Sequence, residues 1–242
     1  MRRTRQSFDE QLQRLEQRLL EMGGYAADML DKSVRALAEQ NVELAHEVIA
    51  ADDRVDEMDL GIEQDCMRLL ALQQPMSRDL RTIGTVMKVI ADVERVGDYS
   101  VDIAKTAIKL AGTRYYKPLE DIPRMGEQVR MMLGEALEAL VHRDLDQVKR
   151  VIEWDDQVDK MWYRLSDQIE HVMQERPEAV PQAAALLLVA RYLERIADHT
   201  VNIAERVAYM ETGRLEVLAR SHRPDYQGED PPETLQATER SE

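Results

Sequence analysis

The 242-residue sequence predicts an all-α protein: two tandem, pseudo-symmetric three-helix bundles of long antiparallel helices. Three observations carry this. Segments of helical period are separated by clear breakers. Charged residues make up 33% of the chain and aromatics only 5%, a balance suited to long amphipathic helices rather than a sandwich or barrel. The chain also repeats itself. Residues 22–58 align without a gap to 125–161 with 13 identities in 37 positions, at an offset of 103. "ERVGDYSVDIA" (94–104) returns as "ERIADHTVNIA" (194–204) with 6 identities in 11, at an offset of 100. Shared Leu and Ala would arise in any two amphipathic helices, but shared "MG", "VI-x-x-DD-x-VD-x-M" and "ER-x-x-D-x-x-V-x-IA" point to duplication.

The helices are expected at 5–38, 42–73, 77–111, 120–142, 145–174 and 179–212. In the first, the pair Gly23-Gly24 is expected to mark a kink. Asn41 is the N-cap of the second, since its side chain can accept from the free N–H groups that follow. Pro75 separates the second from the third, and Gly112-Thr113 closes the third. Pro118 and Pro123 punctuate the connection into the fourth, Asp144 caps the fifth, and Pro177 and Pro181 introduce the sixth. The repeats therefore span 1–113 and 114–213, followed by a polar tail at 214–242 expected to be disordered.

Composition narrows function. A net charge of −15 opposes binding to nucleic acid or to anionic lipid, and favours cations or basic protein surfaces. The single cysteine, Cys66, allows no internal disulfide and no thiolate metal site, which fits a reducing cytoplasm. The N-terminus has no apolar core like that of a signal peptide, and the longest apolar run, 183–190, is too short to span a bilayer. The expectation is a cytoplasmic protein.

Carboxylates stand where apolar residues belong. In the third segment apolar or small residues step through Ile83, Met87, Ile90, Gly97, Val101, Ala104 and Ile108, and the missing step falls on Glu94. Asp98 and Asp102 follow at i+4 and i+8, each about 40° further round. In the sixth segment Glu194 interrupts the seam, bordered by Asp198 and Asn202. The preceding helix of each half supplies a matching stripe: Asp52, Asp56, Asp59 and Glu63, then Asp155 and Asp159. Asp56 and Glu94 each lie 19 residues from Pro75, so antiparallel helices bring them to one level. Asp159 and Glu194 match similarly about the turn near Pro177.

Such acids repel one another and are costly to desolvate. Protonation, Arg/Lys partners or cations would relieve them. Arg95 and Arg195 are expected to face a neighbouring helix, about 100° round from the glutamates. They are too few for all the acids. Oxygen donors without Cys suit Mg, Ca, Mn or Fe, and Zn less well. There is no phosphate-binding Gly-rich loop, no Ser/His/Asp arrangement and no HExxH. Met22, Met29, Met131 and Met132 are expected in the core, and Trp154 and Trp162 as packing or interface residues. A metal-dependent hydrolase or oxidase and a metal buffer remain alternatives to a non-enzymatic adaptor.

Two tandem halves, each with D-x-x-V-D and E-R-x-[GA]-D-x-x-x-[DN]-I-A, resemble the PhoU family over residues 8–213. The "MGG" of the first helix and "QP-x-x-x-DLR" (Gln74 to Arg81) match as well. The resemblance implies metal clusters, possible as multinuclear sites of iron or divalent ions, held by Asp52, Asp56, Glu94, Asp98 and Asp102. In the second half it implies Asp155, Asp159, Glu194, Asp198 and Asn202. Asn202 carries one negative charge fewer than Asp102, implying a weaker or less populated second cluster. The resemblance further implies a homodimer that links the ATPase of the Pst phosphate transporter to a PhoR-type sensor histidine kinase. It would restrain uptake and hold phosphate-starvation genes off when phosphate is plentiful, reaching the membrane only through partners and without enzymatic activity.

Overall fold

The computed structural model describes residues 2–73 and 75–219, so Gln74 and the tail beyond Ala219 lie outside the described residues. Six helices account for most of them: α1 (Arg2–Glu39), α2 (Val42–Gln73), α3 (Ser77–Leu110), α4 (Asp121–His142), α5 (Leu145–Glu175) and α6 (Val180–Thr212). A single 3₁₀ turn, Pro177–Ala179, leads into α6. There is no strand among the described residues, and none of these helices is long and apolar enough to cross a membrane.

Local chemistry explains the boundaries. Asn41 Oδ1 accepts from Leu44 N at 3.0 Å, and Asp144 Oδ1 accepts from Asp146 N and Gln147 N at 2.8 and 3.2 Å. Both side chains satisfy N–H groups that the first turn of a helix leaves open. At the other end of the repeat, Gly213 terminates α6 with φ +74° while its N–H donates to Tyr209 O at 2.8 Å. That left-handed geometry favours glycine. Gln40 also closes a junction, donating from its side-chain amide to Thr113 O at 2.7 Å and so tying the α1–α2 turn to the end of α3.

The helices of each half pack on one another, but the halves do not stand apart. α1 packs on α4 and α3 on α6, so α1, α3, α6 and α4 form a closed ring of four helices. α2 touches only α1 and α3, and α5 lies against α4, α6 and the 3₁₀ turn, so both are outer helices. One continuous apolar core runs through the ring, from Leu19, Met29 and Ile62 to Val93, Met125, Leu133 and Ile196. Burying this apolar surface is the main force holding the helices together.

The repeated "MG" has its explanation at the α1–α4 contact. α1 runs unbroken through Gly23 and Gly24. A Cβ at Gly23 would lie 2.5 Å from Leu137 Cδ1, and one at Gly126 would lie 2.8 Å from Val34 Cγ2. Val34 and Leu137 are themselves equivalent under the 103-residue offset, so the two contacts are reciprocal across the pseudo-two-fold. The glycines serve close approach rather than a break in the helix. Met22, Met29 and Met132 are buried as expected, whereas Met131 is 40% exposed. The cause is its phase on α4: Met132 and Leu133 take the inward positions of that turn.

Candidate functional site

Because α2 and α5 are outer helices, the α2–α3 and α5–α6 grooves face outward, and each carries a carboxylate face. On the first face, Asp52 and Val55 pack beside Gly97: a Cβ there would lie 3.6 Å from both Asp52 Oδ1 and Val55 Cγ1, an ordinary van der Waals contact. Burial pushes the Asp52 carboxyl above its ordinary pKa, and the charges of Asp56 and Asp98 push it further, while Lys105 opposes them. Glu94 is raised in the same way, by burial first and then by Asp98, with Asp56 and Asp59 adding to it against Arg95. Asp59 is raised by burial, Glu63 and Asp56. The structure therefore brings Asp52, Asp56, Glu94 and Asp98 into one electrostatic cluster across two helices, with Asp59 as a further member.

The second face is more deeply set. Asp155 is 1% exposed and Glu194 8% exposed. Burial raises the Glu194 carboxyl to about 7, helped by Asp198 and more weakly by Asp159, against Arg191 and Arg195. Glu194 Oε2 has no hydrogen-bond partner among the described residues. A carboxylate oxygen at that depth without a donor favours either a proton or a cation.

Asp102 and Asn202 lie toward the α3–α6 edge of the two faces. Two i+4 steps carry each about 80° round from its glutamate, to the seam between α3 and α6. Asp102 lies 3.7 Å from Lys105 Nζ, and its charge is felt by Tyr192 on α6. Asn202 Nδ2 donates to Asp92 Oδ1 at 3.2 Å, and His199 Nδ1 lies 2.9 Å from the same oxygen. Tyr99 stacks on Tyr192 with centroids 5.7 Å apart and lies 5.9 Å from the His199 ring. This polar and aromatic seam joins the halves. Nothing in the spacing of Asp92 singles it out, because its partners are 107 and 110 residues away.

The arginines differ from expectation. Arg95 Nη1 donates to Asp98 Oδ2 at 2.7 Å on its own helix, with Nε 3.4 Å from Glu94 Oε2. Arg195 repeats this, at 2.9 Å from Asp198 Oδ2 and 3.9 Å from Glu194 Oε2. A guanidinium at i+1 begins on another face, but its long stem reaches back over one turn to the nearest uncompensated charge. Arg191, three residues before Glu194, donates to Glu194 Oε1. Its i,i+3 spacing was the sequence signal for it.

These pairings set a guanidinium against the carboxylates of each face. Among the described residues, no three His, Cys, Asp or Glu side chains converge as a ready metal-binding group. The donor chemistry still fits a hard cation, since each face offers several carboxylates and buried oxygens whose proton affinity is already raised.

Comparison with known proteins places this arrangement. A family model described as the PhoU domain matches twice, at residues 19–107 and 122–207. The chain is 38% identical over 212 residues to the phosphate-specific transport system accessory protein PhoU homolog of Clostridium acetobutylicum, covering 87% of this chain and 97% of that protein. It is 37% identical over 206 residues to the homolog of the same name from Aquifex aeolicus, covering 85% of this chain and 93% of that one. Among solved structures, the phosphate transport system regulatory protein PhoU from Streptococcus pneumoniae superposes with a TM-score of 0.82 at 34% identity. That match covers 87% of this chain and all of the other. PhoU from Pseudomonas aeruginosa gives a TM-score of 0.83 at 33% identity, covering 86% of this chain and 100% of its own. With both repeats matched and the fold shared, the chain belongs to the PhoU family.

Proposed function

We propose that the protein is an accessory regulator of phosphate-specific transport, working by binding rather than by turnover. In this reading it is a cytoplasmic homodimer that restrains the transporter ATPase and, with a sensor histidine kinase, keeps phosphate-starvation genes off in plentiful phosphate. Relatives bearing the accessory-protein name at 32–38% identity support the transport assignment. The physical support is the pair of outward carboxylate faces. Glu94, Asp52 and Glu194 all hold protons more tightly than ordinary carboxyls because burial and like charge disfavour their ionised forms.

A divalent or ferric ion would relieve that repulsion, with Asp52, Asp56, Glu94 and Asp98 as donors on the first face. Asp155, Asp159, Glu194 and Asp198 are the donors on the second. Such an ion would supply positive charge that pins α2 to α3 or α5 to α6, fixing the surface shown to a partner. The chain's own residues set the site: Arg95 and Arg195 orient Asp98 and Asp198.

The test is deletion of the gene in its host with a phosphate-starvation reporter. The reporter should stay on in rich phosphate and be silenced again by the wild-type gene. Unchanged regulation and uptake, together with metal-dependent hydrolysis or oxidation by the purified protein, would replace this reading with an enzymatic one.

A further inference from the structure

The two carboxylate faces differ in residues that belong to neither acid set. Under the 103-residue offset, Trp162 on α5 takes the position that Asp59 holds on α2. Under the 100-residue offset, Arg191 on α6 takes the position of Ala91 on α3. The first face thus gains an acid at one position and has only a methyl at the other. On the second face the Arg191 guanidinium carbon lies 5.5 Å from the Trp162 ring centroid, within cation–π range. From there it donates to Glu194 Oε1. Arg195 is seated on Asp198 as Arg95 is on Asp98, so the second face carries two guanidinium groups where the first carries one and, at its Asp102 edge, the ammonium of Lys105.

Burial follows the same division. Side-chain exposure falls from 27% at Glu94 to 10% at Glu194, and from 37% at Asp98 to 19% at Asp198. Glu194 still keeps Oε2 without a hydrogen bond, so the face has an oxygen to offer an ion. The position beside Oε1 is already taken by a positive charge. A divalent ion arriving there must meet that charge or displace it, and displacement gives up both the ion pair and the contact with Trp162.

We infer that Arg191, braced on Trp162, is a built-in competitor for the cation on the α5–α6 face. The α2–α3 face then takes up a divalent ion first, and the second face fills only as Arg191 is displaced. This rests on the metal-binding reading above, and it gives the two halves of a duplicated protein different thresholds for the same ion.

The test titrates Mn²⁺ by calorimetry into the metal-stripped full-length protein. Wild type should show two classes of site. The second class is measured alone in a Glu94→Gln/Asp98→Asn background. There Arg191→Ala, which installs the residue of the first half, should tighten Mn²⁺ binding on the order of tenfold, as expected for removing a full charge beside a partly buried ion. Arg191→Lys, which keeps the charge, should tighten it far less. In the converse experiment, Ala91→Arg on the exposed side of α3 should weaken the first class. That variant creates no cavity, so it stands even if Arg191→Ala is unstable. If Mn²⁺ binds both faces equally, or if neither Arg191→Ala nor Ala91→Arg shifts its class, the competitor is refuted while the metal reading survives. Absence of Mn²⁺ binding in every variant would defeat both.

Discussion

Replacing Glu194 with Gln should make the metal-free protein more stable at alkaline pH, the opposite of what losing a buried residue normally does. Glu194 is 8% exposed, and its carboxyl titrates near 7 rather than at the ordinary 4.5. A folded-state pKa raised above the unfolded value means that the native state binds the proton more tightly. The resulting stabilisation is fully present below about pH 4.5 and is lost as pH rises through about 7. A difference of that size corresponds to about 3 kcal/mol at most, at roughly 1.4 kcal/mol per pH unit. Gln mimics the neutral acid in shape and lacks the titration. Its loss of the Arg191 ion pair is modest, since the Arg191 side chain is 37% exposed and can return to water. Urea unfolding of both proteins in chelator, from pH 5 to 8.5, isolates this group as the difference between two curves. The variant should gain about 1–3 kcal/mol relative to wild type between pH 5 and 8.5. Parallel curves, or a variant that loses ground as pH rises, would show that Glu194 is ionised at little cost and refute the reasoning.

Gly126→Ala should destabilise by about 1–2 kcal/mol despite the helix-propensity gain, because Val34 is β-branched and cannot swing away. Gly23→Ala should cost less, since it meets the terminal methyls of Leu137; chemical unfolding ranks the two. Glu205→Ala should free the segment after α6, because Glu205 Oε1 accepts from Leu218 N at 2.6 Å and from Ala219 N at 3.4 Å. Hydrogen exchange at those two amides should accelerate while that in the core of α6 stays put. Association with the transporter ATPase should weaken as salt rises, since a chain of net charge −15 meets basic patches by long-range attraction. Affinity unmoved between low and high salt would remove charge from that account.

The fold was legible because periodicity and punctuation agreed. Pro75, Gly112 and Asp144 each sit where a helix must stop or start, and the duplication related the elements of the two halves. The helix runs unbroken through Gly23-Gly24, and local propensity alone could not reveal the neighbouring helix: Leu137, 114 residues away, explains Gly23. The same limit hid the four-helix ring, whose α1–α4 and α3–α6 contacts join separate repeats. For the acids, counting residues from Pro75 placed Asp56 and Glu94 at one level, and 40° steps placed Asp98 beside them. The same angle turns Asp102 and Asn202 toward the seam, where Asn202 donates to Asp92 and the charge of Asp102 reaches Tyr192. Arg95 and Arg195 were misplaced because helical phase locates a Cβ, not the end of a long flexible side chain.

The most direct test of the central claim, that the outward carboxylate faces are cation sites, is the metal content of the purified protein after loading with Mn²⁺ and removal of free ion. Elemental analysis should find bound metal in wild type. Glu94→Gln/Asp98→Asn should lose most of the first-face share, and adding Glu194→Gln/Asp198→Asn should abolish the rest. If the fourfold variant, folded by circular dichroism, retained as much Mn²⁺ as wild type, or if wild type held none, the faces would be solvated acids and the account would fail.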